Sequence, residues 1–102
     1  MDTLFICNID LDEARQDVFM QFCSDSPIKD KVRIIDHLRK TPISAFTSAP
    51  VVDVLTGEIV GESDNARSDG IYTWYESEIY HFEKYNLKLN DDFIEYVLNR
   101  PE

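Results

Sequence analysis

Apolar residues recur every three to four positions near both ends of the chain and crowd into short β-branched runs in its middle. Residues 3–9 are apolar but too few for periodicity to separate a strand from a lead-in. From Asp10 onward, Leu11, Ala14, Val18 and Phe22 predict a first helix, with Phe19 and Cys23 widening its stripe. Asp10 and Glu13 form a capping-box-like pair at its start, and Ser24-Asp25-Ser26-Pro27 ends it. Ser26 at the N-cap and Pro27 at the first helical position open a second helix. Its buried stripe is Ile28, Val32, Ile35 and Leu38, and Arg39 and Lys40 suit the negative end of its dipole. Thr41-Pro42 stops it.

The period then changes. Ile43–Thr47 reads as a strand. Val51–Leu55 and Glu58–Val60 flank Thr56-Gly57, which predicts a two-residue hairpin turn. Residues 61–70 read as a polar loop ending in an Asp69-Gly70 turn, and Ile71–Trp74 as a strand after it. Tyr75, Ile79 and Phe82 share one face of a helix over 75–85. Leu87 and Leu89 are expected to plug the core from a connector. Asn90 then caps a last helix with Asp91 and Asp92 at its positive end and Phe93, Ile94, Val97 and Leu98 as its apolar face. The order α-α-β-β-β-α-α predicts an α+β fold in a single domain spanning 1–102: two N-terminal helices, a small antiparallel sheet with a hairpin, and two C-terminal helices.

Leu, Ile, Val and Phe make up 30 of the 102 residues, enough apolar side chain for a folded domain. Twenty acidic residues against ten basic ones give a net charge of −10. A nucleic-acid binder needs Lys and Arg to displace counterions, so the charge argues against nucleic acid as a partner. The same charge disfavours an anionic membrane surface, and no apolar run is long enough to span a bilayer. The opening residues have no basic region of a secretory signal. Cys7 and Cys23, lying among apolar neighbours, read as two buried thiols rather than a secreted disulfide framework. A cytoplasmic protein is expected.

The charge is unevenly spread. Residues 1–28 carry −5 and residues 29–40 carry +3, from Lys29, Lys31, Arg33, Arg39 and Lys40 against Asp30 and Asp36. Residues 41–83 carry −7, with Arg67 as their only base, and residues 84–102 carry −1. Like charges gathered in one region repel, and a basic partner would relieve the repulsion. The candidate partner-binding carboxylates are therefore Asp53, Glu58, Glu62, Asp64, Asp69, Glu76 and Glu78. Tyr72 or Tyr75 is the candidate aromatic anchor: alternation puts Tyr72 and Trp74 on one face of their strand and Ile71, Thr73 and Tyr75 on the other.

Little else in the chain suggests chemistry. Cys7, Cys23, His37 and His81 are not paired at the short spacings of structural zinc sites. The acidic runs at Asp10–Glu13 and Asp64–Asp69 lack the layout of an EF-hand loop. No phosphate-binding glycine motif is present, and a Cys–His pair would sit in negative surroundings unsuited to a thiolate. The expectation is a protein with no cofactor, no metal and no catalytic residues.

The stretch from Arg67 to Leu98 reads SDG-x-Y-x-W, then a Tyr-rich helix reaching EKYN-x-x-L, then a capped Phe-Ile helix. This pattern resembles small bacterial immunity proteins that accompany polymorphic toxins, including those of contact-dependent inhibition systems. The resemblance covers about a third of the chain. It implies an antitoxin that neutralises one cognate toxin domain, commonly a basic nuclease, by non-covalent binding. It carries over no interface residue, because such proteins share no common binding site. The rival expectations are an acidic nucleic-acid mimic that inhibits a DNA- or RNA-binding protein, and a structural subunit of a larger assembly.

Overall fold

Tyr72 and Trp74 point into the core while Tyr75 points out, and this alternation organises the molecule. In the computed structural model, which describes residues 4–11, 13 and 15–99, these residues form a strand, β6 (Tyr72–Tyr75). Before it come β1 (Leu4–Phe5), α1 (Gln16–Gln21), α2 (Lys31–Lys40), β2 (Ile43–Ala45), β3 (Val51–Val52), β4 (Ile59–Gly61) and β5 (Ala66–Ser68). After it come α3 (Glu76–Tyr85) and α4 (Asp91–Leu98). Four strands form one sheet in the order β1-β6-β5-β2, and β3 and β4 form a separate two-stranded sheet.

One face of the four-stranded sheet is covered. Trp74 is fully buried there, and its indole N–H donates to the Leu38 carbonyl of α2 at 3.2 Å. Phe19 of α1, Ile34 and Leu38 of α2, Ile79 and Phe82 of α3, and Phe93 and Val97 of α4 complete the core around it. Leu87 and Leu89 are buried, as the connector reading expects. Tyr72 and Phe93 meet edge to face with ring centroids 4.9 Å apart. Cys7 and Cys23 are free thiols, the first buried and the second half-buried. Among the described residues no helix is long and apolar enough to cross a membrane.

The fold is α+β, but its plan departs from the expected one. The four-stranded sheet is mixed rather than antiparallel, because β1 runs parallel to β6 with Leu4 opposite Tyr72 and Phe5 opposite Thr73. A parallel pair needs a long crossover, and the intervening chain supplies it. A strand therefore precedes the helices, and the hairpin lies outside the main sheet. Residues 61–70 are not all loop: Ala66–Ser68 pairs with both β2 and β6. Its Ala-Arg-Ser sequence carries no hydrophobic alternation, so only backbone pairing reveals it.

Local boundaries move as well. The first helix begins at Gln16, not near Asp10, whose carbonyl instead accepts the Glu13 amide in a turn. Asp12 and Ala14 lie outside the described residues. The second helix begins at Lys31 behind Asp30, which adopts a left-handed conformation, while Ser26 and Ser24 bond to each other in a local turn. Because Ile28 is not helical, its phase does not continue into the helix. The buried stripe runs through Ile34 and Leu38, and Val32 is 82% exposed. The hairpin turn is wider than two residues: the Asp53 amide donates to the Glu58 carbonyl and the Gly57 amide to the Asp53 carbonyl, enclosing Val54–Gly57. Gly57 takes a left-handed φ of 76° there. Asn90 stands at the start of α4, but its side chain donates to the Phe5 carbonyl (3.1 Å) rather than capping, and so ties α4 to β1.

Candidate functional site

The outer face of the four-stranded sheet is the side on which Tyr75 stands exposed. Ala45, Ala66 and Tyr75 lie side by side across it on β2, β5 and β6. They belong to the floor of a cleft of about 1300 Å³. One wall is β1 and residues 7–11, the other is the segment 46–50, and the first turns of α3 and α4 contribute to its lining. Among the described residues five carboxylates line the cleft (Asp10, Asp64, Glu78, Asp91 and Asp92), and no Lys, Arg or His does. Three of its aromatic residues are exposed: Phe46 at 81%, Phe5 at 60% and Tyr75 at 43%.

The carboxylates are held for reasons local to each. Asp64 Oδ1 accepts the Ser77 amide at 2.9 Å, capping the first turn of α3 from a distant loop. Asp91 and Asp92 occupy the first turn of α4, where the helix dipole favours negative charge. Glu78 is buried in the cleft wall. It accepts the Tyr75 amide at 3.2 Å and the Cys7 S–H at 3.2 Å. Burial pushes its carboxyl up to about 7, the two donors oppose this only in part, and neighbouring Asp64 and Asp10 add to the rise. The Cys7 thiol is pushed well above its ordinary range by burial and by Glu78, so it is an inert thiol rather than a nucleophile.

A second cluster sits at the other end of α3. Asp53 is 1% exposed and accepts four hydrogen bonds. The Leu55 and Thr56 amides reach Oδ1 at 2.8 and 3.1 Å, and the Tyr80 and Tyr85 hydroxyls reach Oδ2 at 2.6 Å each. Burial alone would raise its pKa, but these four donors outweigh burial and hold the carboxyl well below the usual carboxylate range. Beside it, His81 Nδ1–H donates to the Ser77 carbonyl (2.6 Å), leaving Nε2 to accept the Val54 amide (3.0 Å). Burial lowers the His81 pKa, so the ring is neutral and its tautomer is set by these two bonds. The cluster is fully bonded inside the protein and fastens the β3–β4 hairpin to α3.

The nine sequence-derived site residues therefore separate. Asp64, Tyr72, Tyr75 and Glu78 line the cleft, although Tyr72 and Glu78 present little surface. Glu58 and Glu62 are exposed on and beside the hairpin. Asp53 is the buried hairpin anchor. Asp69 shapes the turn before β6, accepting the Ile71 and Tyr72 amides at 3.0 and 2.8 Å and meeting His37 Nε2 at 2.9 Å. Glu76 accepts from Arg67 Nε at 2.6 Å. Sequence reasoning missed Asp10, Asp91, Asp92, Phe5 and Phe46. The three acids lie outside the acidic middle block and join it only through the fold, and the exposure of the two Phe side chains has no signature in the pattern. Comparison with protein-family models, curated proteins and solved structures finds no match to this chain, so the reading of the site rests on its own geometry and charge.

Proposed function

We propose that this chain is an immunity-type protein, an antitoxin that neutralises a toxin domain by binding it through an acidic surface. The observation that carries the reading is the fate of Arg67, the only base in residues 41–83. Its guanidinium is spent inside the protein, on Glu76 and on the Arg39 and Thr41 carbonyls. Glu58, Glu62, Asp91 and Asp92 form no ion pair with a described residue. A surface that leaves this much like charge unopposed attracts a basic protein, speeding encounter and selecting against acidic partners. The resemblance of Arg67–Leu98 to immunity proteins supplies the class of partner, a cognate basic toxin domain. A binding role is also supported by Cys7, whose thiol burial and Glu78 hold in the neutral form, and by His81 of the Asp53 cluster, which is held between two backbone groups.

The test is co-expression with candidate basic toxin domains, beginning with any encoded next to this chain's gene. The expected result is restored growth and a stable complex by size exclusion that weakens as salt rises. Failure to restore growth overturns the reading, and binding to several unrelated nucleases would replace it with a nucleic-acid mimic.

A further inference from the structure

We propose that the cleft on the outer sheet face seats a cationic segment of the partner, with Lys or Arg side chains set beside an apolar residue. This rests on the antitoxin reading and names which part of the surface does the binding and what fills it. Two features of the cleft converge on that occupant. Asp91 and Asp92 in its lining form no ion pair with a described residue, and among the described residues no base lines the cleft, so a cation entering it meets attraction. Phe5 and Phe46, from opposite walls, and Tyr75 on the floor leave aromatic surface uncovered at the same place. Exposed aromatic faces beside acids suit guanidinium or ammonium groups and their apolar neighbours at once.

Other occupants fit less well. Nucleic acid would bring its phosphates against the carboxylates. A second copy would have to offer the basic α2 segment, yet three of its cations are already engaged within the chain. Lys31 donates to the Glu83 carbonyl and Asn86, Arg39 pairs with Glu83, and Lys40 pairs with Asp36. The exposed hairpin carries Glu58 and Glu62, but it is not part of the cleft lining.

The experiment measures affinity for the same toxin domain in three variants, each checked for an unchanged melting curve. Phe46→Ala removes an exposed wall residue, and the pair Asp91→Lys and Asp92→Lys reverses the charge of the α4 end. Each is expected to weaken binding about tenfold or more, and the charge reversal also to flatten the salt dependence. The hairpin pair Glu58→Lys and Glu62→Lys, outside the cleft lining, is the comparison: it weakens the shared acidic field and is expected to reduce affinity by less than the Asp91 and Asp92 pair does. If the native chain restores growth while the cleft variants bind like the native chain, the cleft assignment is overturned and the antitoxin reading stands. If the chain alone self-associates and the cleft variants abolish that, the occupant is a second copy and the proposal fails. If the native chain binds no toxin domain, both readings fall together.

Discussion

Asp53 and Glu78 are both acidic, both buried, and set at opposite ends of α3, yet their environments push them in opposite directions. Asp53 receives two amide and two hydroxyl donors. Glu78 receives one amide and one thiol, a weak donor, and faces Asp64 and Asp10 as well. Burial raises the pKa of each, and the supply of donors decides the outcome: Asp53 stays ionised while Glu78 sits near neutrality. Burial of a carboxylate is thus no measure of its cost. The Asp53 end is a structural fastening, closed and satisfied. The Glu78 end is an open wall that tolerates crowded like charge.

Removing the fastening gives the largest effect. Asp53→Ala strands two amides and two hydroxyls and frees the hairpin, and should cost about 3–5 kcal/mol by urea denaturation. A loss under about 1 kcal/mol would show that the four bonds do not hold the hairpin. The second test sharpens the contrast through pH. Glu78 keeps its proton in the folded chain up to about pH 7, against 4.5 for its ordinary value. Between those values the folded chain binds more protons than the unfolded one, so this group lowers stability as pH rises through the window. Glu78→Gln removes that slope and keeps an acceptor for the Tyr75 amide. The variant should gain on the native chain from about pH 5 to pH 8, by roughly 3 kcal/mol at the upper end. A constant difference across that range would overturn the assignment. The smallest effect belongs to the cleft wall: Phe46→Ala should alter stability by no more than about 0.5 kcal/mol, since the side chain is 81% exposed.

Several elements were legible because their signal is local. The alternation of Tyr72 to Tyr75, the periodicity of α3 and α4, and the burial of Leu87 and Leu89 follow from which side chains shed water. The Asp69-Gly70 turn follows from an acid that accepts the next amides and a glycine free to take positive φ. The candidate site was legible only in part. Residues 41–83 announce an excess of acid, but nothing in that count separates the buried, fully bonded Asp53 from the exposed Glu58 and Glu62. That distinction depends on Tyr80 and Tyr85, which lie about thirty residues further along the chain.

What the amino-acid order determined by itself is the class of the fold, the last two helices, the identity of most core residues and the sign of the surface. Each is a sum of short-range preferences and transfer of apolar side chains from water. Only the tertiary structure decided that β1 pairs with β6 across most of the chain, that the polar Ala66–Ser68 joins the sheet, and that Asp10, Asp64, Asp91 and Asp92 share one cleft with Phe5 and Phe46. Backbone pairing between distant segments carries no side-chain signature, and a field made by charges from separate elements exists only once those elements are packed.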